Sequence, residues 1–151
     1  MKDFQQYKDL VFMIIGAALE VHNELKSGLL ESVYREALAM ELKKLGVESF
    51  AEQEIPIYYK GDLMVQKYRM DMVVGDVIVE LKVASEIGSA HRAQLCNYMR
   101  LTKKPVGLLI NFGESSLRGE RWSYDDETGE CCLLDKEMKK KFTSRRITNI
   151  K

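Results

Sequence analysis

The sequence predicts an α/β fold in the order αβββαβ, a central mixed sheet flanked by helices. Two observations carry this. Apolar residues recur at helical spacing over residues 3–45, alternate over 47–83, and return to helical spacing over 85–102 before a short apolar run at 106–112. A strand, a helix and a strand in succession also imply a right-handed crossover, with parallel pairing of the last two strands.

Over residues 3–26, Phe4, Tyr7, Val11, Ile14, Ile15, Ala18, His22 and Leu25 fall on one stripe at about 100° per residue, as in an amphipathic helix. Ser27 and Gly28 interrupt it, and Ser27 is placed to cap a second helix that runs to Leu45 and stops at Gly46. The pair is either a helical hairpin or one kinked helix. Leu30, Tyr34, Ala37, Leu38 and Leu45 form the second helix's inward stripe. Ile55, Ile57 and Tyr59 then alternate, and Lys60-Gly61-Asp62 supplies a turn. The run 64–74 and the segment VIVELKV at 77–83 are joined by Gly75-Asp76 as a tight hairpin. Ile87, Ala90, Gln94, Tyr98 and Leu101 line one side of a third helix, which Lys103-Lys104-Pro105 ends. VGLLINF at 106–112 reads as a buried strand. Beyond Gly113 the pattern weakens, with a turn at 125–129. The length of 151 residues fits one domain over 1–151, its core at about 4–113 and 114–151 a C-terminal extension.

With 23 Lys+Arg against 23 Asp+Glu the net charge is zero, which excludes a globally basic binder of nucleic acid or membrane. Positive charge is local instead. Residues 136–146 hold six basic side chains and one acid, so Lys139, Lys140 and Arg145 are natural phosphate contacts, unless the segment is only a solvated helix end or tail. Three cysteines without a CxxC spacing support neither a disulfide framework nor a zinc ribbon, and the simpler expectation is a reducing, cytoplasmic compartment. The ten-residue apolar run 10–19 is too short to span a bilayer. Lys2 and Lys8 precede it as in a signal peptide, but helical spacing continues through Val21, His22 and Leu25, so it reads as a buried helix.

The hairpin carries the chemistry. With Gly75 and Asp76 as loop residues Val74 faces Val77, and counting back sets Asp71 opposite Glu80, with Lys82 on the same face as Glu80. Like charges directly opposed destabilise a sheet, so the pair needs a partner. A divalent cation such as Mg²⁺ satisfies both carboxylates; a structural cluster neutralised by Lys82 is the other possibility. Val77, Val79, Leu81 and Val83 form the other face, opposed by Met70, Met72 and Val74. Glu31 lies at the edge of the second helix's apolar stripe, where a first-turn glutamate is also favoured by the helix dipole. Gln94 sits mid-face on the third helix, able to reach the Glu80–Lys82 strand or to bond backbone at the sheet edge. His22 reads as a core histidine and His91 as partly exposed, neither at metal-ligand spacing.

These residues resemble a known family. GLLESVY at 28–34 matches the signature of the GxxExxY proteins, a bacterial and archaeal group within the PD-(D/E)xK nuclease superfamily. Glu20 to His22, IPIYYKG at 55–61, Asp71 followed by VIVELK, QLCNYM at 94–99 and VGLLINFG at 106–113 are similar to that family in one collinear order. Lys26-Ser27 replaces the glycine-proline usual before the signature glycine, and Met70 stands where a proline often precedes the aspartate. Past Gly113 the likeness fades, until RRITN at 145–149 resembles the family's closing segment.

The resemblance implies a restriction-endonuclease-like core and a metal-dependent nuclease acting on DNA or RNA. By position, Asp71 and Glu80 would hold Mg²⁺ or Mn²⁺, Lys82 would orient or activate the attacking water, Glu31 would support the metal from the helix, and Gln94 would shape the site. A catalytically silent nucleic-acid-binding or regulatory module with the same fold is the alternative. A third expectation is a protein that assembles with itself through the exposed side of its first helices.

Overall fold

Each change of hydrophobic period becomes a change of element in the computed structural model, which describes residues 3–141. A short 3₁₀ turn, Gln5–Tyr7, leads into α1 (Lys8–Leu25) and α2 (Glu31–Lys44). Three strands follow, β1 (Phe50–Tyr59), β2 (Asp62–Val74) and β3 (Val77–Lys82), then α3 (Ser89–Thr102) and β4 (Val106–Asn111). The six-stranded sheet keeps sequence order, with β3 and β4 parallel and every other neighbour antiparallel. The α/β class, mixed sheet and flanking helices are as the sequence predicts.

β3 is near-continuously apolar because it is covered on both faces. Val77, Val79 and Leu81 pack under α1 and α2 with Val11, Ile14, Tyr34 and Leu38. Ile78 packs under α3 with Leu95, Met99 and Leu109. Glu80, one residue from the end of this run, is therefore in the sheet interior and only 2% exposed.

Several expectations are corrected. Ser27 caps nothing: α2 starts at Glu31 with Leu30 as its N-cap and no side-chain cap. The linker turns instead through Lys26 (φ 61°) and Gly28 (φ 104°), and Tyr34 holds it, its hydroxyl donating to the Lys26 carbonyl and accepting from Leu29 N at 3.1 Å. The helices are thus a hairpin, not one kinked helix. The buried stripe of α2 is Tyr34, Leu38 and Leu42, four residues apart, whereas Leu30 and Leu45 are exposed.

The C-terminal extension adds two strands, β5 (Arg118–Asp125) and β6 (Glu130–Leu134), to the sheet edge. Charged residues hid β5 from a hydrophobicity reading. Its Glu120 accepts three hydrogen bonds from Arg92 of α3, at 2.7–3.2 Å, and one from Trp122 Nε1 at 3.0 Å, so a partly buried acid and base neutralise each other. Among the described residues no helix is long and apolar enough to cross a membrane.

The cysteine expectation also fails. Cys96 of α3 and Cys131 of β6, 35 residues apart with Cα atoms 6.1 Å apart, form a disulfide, and Cys132 is buried outside it. Spacing along the chain could not show this, because the partners meet only when β6 joins the sheet beneath α3. The disulfide removes the support that cysteine count gave to a reducing compartment. Replacing both partners by serine is expected to lower stability by about 4 kcal/mol, the loop-closure entropy returned to the unfolded chain; urea unfolding of the double variant beside wild type measures it.

Candidate active site

The Gly75-Asp76 turn sets the register Val74↔Val77, Val73↔Ile78 and Met72↔Val79, so the next step outward brings Asp71 to Glu80. There the ladder gives way to side chains. Glu80 Oε2 accepts from Asp71 N at 2.8 Å, and Asp71 Oδ2 accepts from Leu81 N at 2.8 Å. Each carboxylate thus takes one backbone N–H of the opposing strand pair through one oxygen.

Asp71 is irregular on its other side too. Ala51 pairs with Met72 and Gln53 with Met70, and Glu52 between them has φ 52°. β2 rotates here, so Met72 and Val74 pack beneath α1 and α2 while Met70 packs with Ile55 and Tyr98 on the α3 side. The expectation that Met70 shares a face with Met72 and Val74 is corrected by this break in alternation.

Glu31, in the first turn of α2, is brought against Asp71 because the α1–α2 hairpin lies on the sheet near the end of β3. Partial burial raises its pKa to about 7, followed by the charge of Asp71 and a hydrogen bond shared with it. The pKa of Glu80 is pushed up to about 8, by burial first and by Asp71 second. Three carboxylates are crowded where negative charge is costly. Lys82 lowers both values in part, yet its hydrogen bond goes to a neutral amide, Nζ donating to Gln94 Oε1 at 2.8 Å.

Gln94 bonds side chains and not the sheet edge: its Nε2 donates to Tyr98 Oη at 3.0 Å. Tyr98 is buried, and burial followed by the charge of Glu80 raises its hydroxyl pKa. α3 thereby positions the Lys82 ammonium through two of its own side chains one turn apart. Gln94→Ala is expected to leave the fold intact while the ammonium loses its anchor and not its charge; a thermal melt within about 3 °C of wild type checks this.

Sequence reasoning missed Asn111, which is fully buried at the end of β4 beside Lys82. Its Oδ1 accepts from Ala84 N and Gly113 N, both at 3.0 Å, and its Nδ2 donates to Ala84 O at 3.0 Å and Glu114 Oε2 at 2.8 Å. It pins the chain leaving β3 just after Lys82. A Cβ on Gly113 would collide with the Ala84 backbone, which accounts for glycine there. The available signal was a lone amide closing an apolar strand. His22 is the buried core histidine expected, its Nε2 2.9 Å from Glu114 O, and His91 is half-buried with Nδ1 accepting from Gly88 N at 3.1 Å.

The structure brings Glu31, Asp71, Glu80, Lys82 and Gln94 together. Lys139 and Lys140 do not join them, since they follow β6, three strands away from β3 and roughly 14 Å along the sheet. Arg145 and the segment 145–149 lie outside the described residues.

A mixed sheet between a helical hairpin and a crossover helix, with an acidic pair and a lysine at its centre, defines a restriction-endonuclease-like domain. The model of the PD-(D/E)XK nuclease superfamily matches residues 8–122, and the chain belongs to that superfamily. The match runs from α1 into β5, past the Gly113 limit expected from the sequence. The crystal structure of SSO0001 is similar in fold, with a TM-score of 0.50 and 17% identity over 82% of this chain; the chain spans 63% of that one. No curated protein sequence matches.

Proposed function

We propose that the protein is a metal-dependent nuclease of the GxxExxY group, hydrolysing phosphodiester bonds in nucleic acid. The observation that carries this reading is the meeting of Asp71 and Glu80, with Glu31 against Asp71 and Lys82 held by Gln94 on the same side. Among the described residues no trio of His, Cys, Asp and Glu is arranged as a metal cage. The basis is instead the Asp71–Glu80 pair, since Mg²⁺ binds through one or two carboxylates and keeps its waters. The donors fit: all are oxygens, and two of the acids have pKa values raised by burial first and by the neighbouring Asp71 second, a charge cost that a cation would relieve.

When bound, a divalent cation supplies Lewis acidity, polarising a phosphoryl oxygen and acidifying water. Asp71 and Glu80 would hold it, since each has one oxygen accepting a backbone N–H and a second oxygen outside that bond. Glu31 would support the same site from α2. The Lys82 ammonium, aimed by Gln94, orients the attacking water and balances negative charge growing on the phosphate. Hydrolysis adds water across the P–O bond and leaves a phosphate monoester and a hydroxyl.

The test is cleavage of single- and double-stranded DNA and RNA with Mg²⁺, Mn²⁺ or EDTA. Metal-dependent turnover abolished by EDTA is the expected result. Salt-dependent binding of nucleic acid without turnover under any of these conditions would instead support the catalytically silent module.

A further inference from the structure

The β1–β2 hairpin runs on beyond the site as an arm. From Asp62 to Arg69 every residue of β2 is exposed, and on β1 only Ile55 is buried. The two faces of the arm differ. On one, Lys67 and Arg69 both contact Glu54, at 2.6 and 3.9 Å, so charge is compensated within the arm. On the other, Met64, Gln66, Tyr68 and Met70 alternate along β2, Tyr68 has Ile55 as its cross-strand partner, and no charge lies between Met64 and Met70.

Tyr68 connects this uncharged face to the catalytic cluster. It is 52% exposed, and its inner side rests on buried Tyr98, with ring centroids 5.7 Å apart and planes at 47°. Tyr98 bonds Gln94, which bonds Lys82. An aromatic ring fixed on one side and open on the other is a stacking surface, and a base inside a duplex, stacked on both sides, cannot offer its π face to it. Duplex binding relies on cations facing the backbone, whereas Lys67 and Arg69 face away and are held by Glu54.

We propose that the substrate is single-stranded nucleic acid, with an unpaired base stacking on Tyr68 as its neighbouring phosphate reaches Lys82. The proposal deepens, and rests on, the nuclease reading of that site. Met64 lies four residues further along the same face, roughly 13 Å away, so the arm offers a second apolar contact to a base beyond the first.

Binding is measured by fluorescence anisotropy on the full chain carrying Asp71→Asn, so that cleavage does not intervene, with a labelled oligothymidylate and a labelled blunt duplex as probes. Tyr68→Ala and Tyr68→Leu are expected to weaken single-strand binding by about 10- to 100-fold, with Tyr68→Phe and Tyr68→Trp within about 3-fold of the parent. Duplex binding stays unchanged, and thermal melts report that the variants fold. Equal effects on both probes, no effect on either, or a Phe variant as weak as Ala overturns the proposal. So does a concentration-dependent dimer that Tyr68→Ala dissolves, which would give the arm to a second copy of the chain. Stacking confirmed alongside a wild-type chain that never cleaves removes the nuclease reading alone and leaves the single-strand platform supported.

Discussion

Asp71→Asn is expected to lower metal-dependent cleavage by on the order of 10³-fold, with the fold intact. The substitution keeps size and an acceptor oxygen, so the bond from Leu81 N survives, while the charge is lost. One full carboxylate then remains between β2 and β3 to hold the cation. Lys82→Ala is expected to cost roughly 10²-fold, because on the proposed mechanism the cation stays while the ammonium assigned to orient water and balance charge is gone. Turnover of both variants on the best wild-type substrate, across a Mg²⁺ titration, separates the two: the Asp71 defect is eased by excess metal and the Lys82 defect is not. Unchanged turnover in both would remove the assignment of the site.

The second large effect is on stability. Glu80 and Glu31 have pKa values of about 8 and about 7 in the folded chain against an ordinary 4.5. The folded state therefore binds more protons than the unfolded one at neutral pH, and stability falls as pH rises. The stabilisation is fully present below about pH 4.5 and is lost as pH climbs through 7 and 8. Glu80 alone accounts for on the order of 4 kcal/mol between those limits, and half-exposed Glu31 adds less. Without divalent metal, Tm should drop from about pH 5 to 9, and Asp71→Asn should flatten the slope by removing the charge next to both acids. Mn²⁺ should raise Tm more at the alkaline end, where the ionised acids bind it. Scanning fluorimetry in EDTA and in Mn²⁺ reads this; a Tm that is level or rising with pH in EDTA refutes it.

The opposition of the two acids is legible in the spacing of the chain alone. A two-residue turn at Gly75-Asp76 leaves no freedom in register, so counting outward places Asp71 at Glu80, and period two puts Lys82 on the same face. Gln94 is legible as an inward amide, though not its bridging of Lys82 and Tyr98, because that depends on the height at which α3 crosses the sheet. Met70 is misplaced by strand alternation, which assumes an unbroken ladder, and Glu52 and Asp71 break it.

Local repetition and turn chemistry are properties of neighbouring residues. The sequence by itself therefore determined the order of helices and strands through β4, the β2–β3 register and the pairing of the acids. Other features depend on which distant segments meet. Only the tertiary structure decided that Glu31 reaches Asp71 from another layer, that Cys96 bonds Cys131, that β5 and β6 extend the sheet with an Arg92–Glu120 ion pair, and that Tyr68 rests on Tyr98. Each of those joins residues far apart in the chain. Their contact is set by how α2, α3 and β6 pack on the sheet, a free-energy balance over the whole core that no local pattern encodes.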